Sequence, residues 1–235
     1  MIRLLVGILV FVINKVYAQR PYPRFYVLET VARVPYFSYL SVLHLYETLG
    51  FWRKADWLKI HFAESWNELH HLLIMESLGG SNFWVDRLLA KTVALLYYWI
   101  VVALYVVSPA SAYHFMELVE EHAYESYDSF LTSHEAILKT QSAPPVALNY
   151  YRDGDLYMFD QFQTSHPGEV RRPAINNLYD VFVAIRDDEM EHVKTMVACQ
   201  NPTAQNSFHS PHTLIAQDLP LINTEKEVQN EVTRV

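Results

Sequence analysis

Glu68-Leu-His-His71 and Glu189-Met-Glu-His192 are two Glu-x-x-His pairs, each inside an apolar stretch with helical patterning. Residues three apart on a helix share a face, so each pair can aim a carboxylate and an imidazole at one point. A lone glutamate precedes each pair, Glu29 the first and Glu120 the second, so the chain reads twice as Glu … Glu-x-x-His. Four carboxylates and two imidazoles from four helices form the donor set of a two-metal carboxylate centre in a helical bundle. That set points to redox or oxygen chemistry rather than simple binding.

The spacing alone is weak, because 16 glutamates and 11 histidines in 235 residues yield about one such pair by chance. The bland alternative makes both pairs solvated i,i+3 neighbours on a helix surface. Their surroundings argue otherwise. Trp66 precedes Glu68, His71 is followed by Leu-Leu-Ile-Met, and Phe182, Ile185 and Val193 flank the second pair at core-like spacing. Carboxylates are rarely buried unless paired or metal-bound, and each buried ion costs several kcal/mol to desolvate. Two iron ions would offset the four charges. The single cysteine, Cys199, excludes a disulfide framework and a cysteine-rich metal site, and Glu/His donors suit iron or manganese. A net charge of −8 gives no argument for nucleic acid as a partner.

These residues need helices to carry them. Arg20-Pro-Tyr-Pro-Arg24 should interrupt any helix. One helix is expected over 25–49, stopped at Gly50 and kinked by Pro35 about one turn beyond Glu29. The next runs over 55–78 and ends at Gly79-Gly80, with Phe62, Trp66, Leu69 and Leu73 as its core stripe. Ser108-Pro109 reads as cap plus first-turn proline of a helix over 110–139. Residues 141–173 look like a packed or functional insertion, and 173–198 form the last strong helix. Strand alternation is absent from the pattern. The expected fold is all-α, a ferritin-like four-helix bundle over residues 1–198, with 199–235 a polar, mobile tail.

Two apolar stretches raise the membrane question. Residues 1–18 have the shape of a signal peptide or of a membrane-binding helix. Residues 88–107 are about long enough to span a bilayer, and Tyr97, Tyr98, Trp99 and Tyr105 suit the headgroup level. Hydropathy alone leaves a span and an in-plane helix equally open.

Leu28-Glu29-Thr30-Val31-Ala32, Asn67-Glu68-Leu69-His70-His71, Leu118-Val119-Glu120-Glu121-His122-Ala123 and Arg186-Asp187-Asp188-Glu189-Met190-Glu191-His192 resemble, in order, the four iron-ligand motifs of the alternative oxidases. These are membrane-bound di-iron quinol oxidases. Glu120-Glu121-His122, where the mitochondrial branch has three glutamates, and the stretch 151–164 make the resemblance closest to the plastid terminal oxidase branch. The resemblance implies iron ligation by Glu29, Glu68, His71, Glu120, Glu189 and His192, and a redox-active or proton-donating Tyr127 beside the metals. It places Arg24, Leu28, His122, Ala123 and Ser126 along the quinol pocket. Asp188 and His44 would hydrogen-bond the ligand imidazoles, and Tyr105 matches a tyrosine of the plastid branch, though by pattern it is an aromatic-belt residue. Residues 1–18 then become an uncleaved membrane helix and 88–107 its in-plane partner, making the enzyme monotopic.

The implied reaction is quinol (plastoquinol or ubiquinol) oxidation with reduction of O2 to water and no proton pumping. A homodimer bound to membrane lipid is expected, in a thylakoid or in the cytoplasmic membrane of a cyanobacterium-like cell. A membrane di-iron hydroxylase or desaturase uses similar ligands and stays open as an alternative, as does a non-catalytic helical membrane protein.

Overall fold

A computed structural model of the chain describes residues 7, 11, 13–50, 55–154, 157 and 172–201. Most of the expected N-terminal membrane helix, most of 154–171 and the tail beyond 201 lie outside the described residues. Within them the chain is helical, and no strand occurs among the described residues. We number the helices α1 (Pro21–Ala32), α2 (Val34–Thr48), α3 (Ala55–Ser77), α4 (Trp84–Val107), α5 (Pro109–Leu138), the single turn α6 (Pro145–Leu148) and α7 (Leu178–Gln200). A π-helical turn, Asn149–Asp153, follows α6 directly.

The helix ending at residue 16 is interrupted over 17–20, as the sequence suggested, but Pro21 and Pro23 lie inside the next helix, in its first turn, so it starts at 21 rather than 25. The first turn has no intrahelical partner for its N–H groups, so a proline there loses nothing and brings a helix-ready φ. Pro35 acts as expected: the chain breaks at Arg33, one turn beyond Glu29, and α2 resumes with Pro35 in its own first turn. Ser108 caps α5, its hydroxyl accepting from the Ser111 N–H at 3.3 Å. The last helix begins at Leu178 rather than at 173, because the Asn177 side chain accepts from the Asp180 N–H at 3.1 Å and fixes the cap there.

The bundle consists of α1 with its continuation α2, α3, α5 and α7. The α5–α7 pair packs most extensively, α3 packs on both α1 and α2, and α4 lies across the outside of α1 and α2. At the α3–α4 turn, Gly79 has a φ of +85°, and Gly80 lies so close to the α1 backbone that a Cβ would meet the Tyr22 carbonyl at 2.7 Å. Two aromatic-rich clusters fill the interior, one around Phe25, Tyr127, Phe130 and Phe182, the other around Tyr36, Tyr39, Tyr105 and Tyr113.

Helix α3 turns a different face inward than its apolar stripe predicts. Phe62 is 49% exposed, and Trp66, Leu69 and Leu73 are only partly covered. His61, Glu64, Asn67, Glu68 and His71 are fully buried. The polar side of this helix is its core side, a costly arrangement unless the buried groups have partners.

Candidate metal centre

The inward faces of α1, α3, α5 and α7 deliver Glu29, Glu68 with His71, Glu120, and Glu189 with His192 to one point, each at most 1% exposed. Two quartets of donor atoms form there: Glu29, Glu68, His71 and Glu189 in one, Glu68, Glu120, Glu189 and His192 in the other. Glu68 and Glu189 belong to both. His71 Nδ1 lies 3.2 Å from Glu189 Oε1 and 3.7 Å from Glu29 Oε2. His192 Nδ1 lies 3.0 Å from Glu68 Oε1 and 3.8 Å from Glu120 Oε1. The arrangement is pseudo-symmetric, with two glutamates shared and one glutamate and one histidine at each end.

Hydrogen bonding leaves this basket short of partners. Tyr127 donates to Glu29 Oε1, and Tyr36 donates to Glu120 Oε1 at 2.5 Å. The other oxygen of each end glutamate, both oxygens of Glu68 and of Glu189, and the Nδ1 atoms of His71 and His192 are buried with no hydrogen bond. Orphaned buried carboxylate oxygens cost heavily, and a cation is the partner that satisfies them all. Burial and the Glu68 charge push the Glu29 carboxyl up to about 8. Burial, with Glu189 and Glu68 nearby, raises Glu120 well above the carboxylate range. For both histidines burial opposes the charge, but the surrounding carboxylates overcome it and raise them well above the usual imidazole value.

Asp188 Oδ2 lies 3.2 Å from His71 Nε2, so the ring's other nitrogen faces the carboxylates. Asn67 (2.9 Å) and Tyr151 (3.1 Å) donate to that same oxygen, and Tyr157 (3.4 Å) to the other. The insertion therefore supplies tyrosines that clamp the carboxylate holding a histidine in place. His44 does not take the matching place beside His192. It is exposed on α2 and pairs with Glu47 at 3.7 Å, because its position in the turn points away from the bundle. Tyr105 is no aromatic-belt residue: it is 0% exposed and hydrogen-bonds the Tyr113 hydroxyl at 2.8 Å.

Beside this basket lies a cavity of about 510 Å3, lined among others by Tyr17, Arg24, His122, Glu125, Ser126, Phe130 and His134. Arg24 donates to Ser126 Oγ at 2.9 Å, and Ser126 Oγ lies 3.3 Å from His122 Nε2. Burial and the Arg24 charge keep the His122 imidazole toward its neutral form. Leu28 and Ala123 do not contribute to this lining. Phe25 stacks on Tyr127 with ring centroids 4.3 Å apart, so one aromatic layer separates the Arg24 side from the Glu29 end of the basket.

Sequence reasoning missed Tyr36, His61 and Glu64. Their helical spacing from Glu29 and Glu68 was the available signal, since Tyr36 lies seven residues after Glu29, and Glu64 and His61 lie four and seven before Glu68.

Comparison with known proteins agrees with this centre. The family model described as "Alternative oxidase" matches residues 1–201. A chloroplastic/chromoplastic ubiquinol oxidase 4 of Arabidopsis thaliana is 57% identical over 92% of this chain and 60% of its own length. A mitochondrial ubiquinol oxidase 2 of Glycine max is 31% identical over 70% of this chain and 44% of its own. The chain thus spans about 60% or less of the length of these curated relatives.

Proposed function

Because the chain belongs to the alternative oxidase family, in its plastid terminal oxidase branch, we propose that it is a membrane-bound quinol oxidase that reduces O2 to water without pumping protons. One observation carries the chemistry: a basket of four buried glutamates whose remaining oxygens have no hydrogen-bond partner. Two iron ions held by Glu29, Glu68, His71, Glu120, Glu189 and His192 would satisfy it. When bound, they supply the electron-transfer and oxygen-reducing capacity that no side chain here possesses.

The protein's own groups do the rest. Arg24, Ser126 and His122 line a cavity large enough for a quinol head, with one donor held by Ser126 and an imidazole able to accept a quinol hydroxyl. Leu28, partly buried, and Ala123, buried, lie outside that lining. Tyr127, bonded to Glu29 and stacked on Phe25, lies between cavity and metals and is placed to pass a proton and an electron. Asp188 holds His71 in its ligating tautomer. Four electrons from two quinols, with four protons, convert one O2 to two waters. Both the buried tyrosine layer and the packed bundle exclude bulk water from that step.

Helix α4 supports membrane binding. It is the one described helix long and apolar enough to cross a bilayer, and only 22% of its most apolar window is buried. Trp84, Leu88, Leu95, Leu96 and Trp99 face outward, while Asp86, its buried acid, is paired with Arg20 and Tyr17. We assign α4 and residues 1–18 to one leaflet of a thylakoid or cyanobacterial-type membrane, with ligand helices on both sides of α4 returning to one bundle. A homodimer would cover the outward apolar stripe of α3 at Phe62. The oxidase unit extends to about residue 200 rather than 198, because α7 continues to Gln200 and Cys199 is buried.

The test is oxygen uptake by detergent-purified protein driven by a soluble quinol, insensitive to cyanide, together with iron analysis. About two irons per chain, lost with activity in Glu68→Ala, is the expected result. Protein without stoichiometric iron, unaffected by Glu68→Ala, would overturn it.

A further inference from the structure

On the opposite side of the basket from the quinol cavity, a continuous file of aromatic rings leads outward. Tyr36 stands 5.4 Å, centroid to centroid, from the His192 ring and donates to Glu120. Tyr39 follows at 6.5 Å from Tyr36, then Tyr113 at 4.9 Å from Tyr39, and finally Trp57 at 5.4 Å from Tyr113. Tyr105 flanks the file 4.7 Å from Tyr39. Trp57 is 5% exposed, near the start of α3, whereas Tyr36, Tyr39 and Tyr113 are 0% exposed. None of these residues borders the quinol cavity.

Rings in such contact exchange electrons readily, because tunnelling falls steeply with distance and here every gap is a single packing contact. A tyrosine also needs a base for its proton, since the oxidised phenol is a strong acid. Two tyrosines in the file have one. Tyr36 faces the Glu120 carboxylate. The Tyr113 hydroxyl is 2.8 Å from His61 Nε2, and His61 Nδ1 is 3.0 Å from Glu64 Oε2. With Glu64 accepting the Nδ1 proton, Nε2 is left as the acceptor for Tyr113. This buried Tyr–His–Glu triad has no part in holding metal and no part in binding quinol. Its cost in burying an acid and an imidazole calls for a function.

We propose that Tyr36, Tyr39, Tyr113 and Trp57 form an escape route for oxidising equivalents, which drains the metal centre when oxygen has reacted and no quinol is at hand. The route rests on the iron reading above. An oxygen-derived oxidant at the peroxide level needs two electrons and two protons to become two waters. Trp57 and Tyr113 each give one electron, which passes inward along the file. The Tyr113 proton moves to His61, leaving a neutral tyrosyl radical; Trp57, its Nε1 buried, keeps its proton as a radical cation; and the two protons that complete the waters enter from solvent on the quinol-cavity side. Damage is thereby moved from the histidines of the basket to side chains that hold no metal.

Hydrogen peroxide added to the iron-loaded, oxidised full-length protein tests this without depending on quinol. Freeze-quenched samples are read by electron paramagnetic resonance, and oxidised residues are mapped by mass spectrometry. The expected result is a tyrosyl signal and oxidised Trp57. Tyr113→Phe should lose both, with oxidation appearing on His192 or Tyr36 instead, while Trp57→Phe should keep the tyrosyl signal and lose only the terminal product. Circular dichroism and iron content show that each variant is folded and loaded. Wild-type oxidation of Trp57 surviving in Tyr113→Phe would overturn the route. So would iron-loaded protein that shows no oxidation along the file. Quinol-driven oxygen uptake, measured in parallel, separates that failure from a failure of the oxidase reading.

Discussion

Stripped of iron, the protein should become less stable as pH rises through neutrality, the reverse of what a carboxylate-rich chain ordinarily does. Burial and the Glu68 charge hold the Glu29 carboxyl at about 8, against 4.5 for the unfolded chain. Glu120 is raised for the same kind of reason. Both groups keep a proton in the folded state that the unfolded chain has released, so the native state binds the excess and stability falls with pH. Each excess proton contributes about 1.4 kcal/mol per pH unit, giving a slope of about 1.4 to 3 kcal/mol per unit between pH 5 and 7.5. His71 and His192, raised by their carboxylate neighbours, add to the fall above pH 6.5, where the unfolded imidazoles lose their protons. Glu189 is lowered and titrates below this window in both states. For a domain of this size the carboxylates alone should shift the melting temperature by roughly 3–10 °C per pH unit. Iron needs the ligands deprotonated, so loaded protein should show the opposite trend, with affinity rising with pH. Thermal melts of chelator-treated and iron-loaded protein in the same detergent, from pH 5.5 to 8, measure both. An iron-free melting temperature that stays flat or climbs across that range would refute the protonated basket.

Asp188→Asn keeps the shape of the side chain but weakens its hold on His71, and should lower iron affinity roughly 10- to 100-fold by competition with a chelator. Tyr127→Phe should retain both irons while slowing quinol-driven oxygen uptake, and a wild-type rate would remove it from the path between cavity and metals. Arg24→Ala should raise KM for quinol with little change in kcat, because it contacts Ser126 in the cavity and not the ligands. Trp99→Asp on the outward face of α4 should shift the protein from the membrane fraction toward the soluble one on flotation, with iron content unchanged.

The four helices that deliver the Glu/His cluster were legible because each Glu-x-x-His pair must share a face, which a helix gives residues i and i+3. Their ends were legible where a cap is chemically explicit, as at Ser108 and Gly79. What misled was polarity. On α3 the apolar stripe through Phe62 and Trp66 reads as core, yet the buried face carries His61, Glu64, Asn67, Glu68 and His71. The hydrophobic rule fails there because the bundle interior is a polar site, where carboxylates, histidines and tyrosines from four helices face one another. His44 was misplaced for a related reason: on α2 it lies on the exposed face, whereas His61 on α3 is buried and bonds Glu64 and Tyr113. The break ahead of Pro21 was legible, but the start of α1 was placed four residues late, since a proline that ends one helix can open the next at its first turn.

The tyrosines beside the basket order its two end glutamates. Glu29 and Glu120 each accept a tyrosine hydroxyl on one oxygen, leaving the other without a hydrogen bond. Glu68 and Glu189 have both oxygens unpartnered, and so are Nδ1 of His71 and both ring nitrogens of His192. Each hydroxyl fixes the rotation of its carboxylate, so the unpartnered oxygen of each end glutamate is the one left for the neighbouring groups of its quartet. Without the hydroxyls of Tyr36 and Tyr127 neither oxygen of an end glutamate would be held. The two tyrosines thus do for the end glutamates what Asp188 does for His71: each orients a group that would carry metal by bonding its other side.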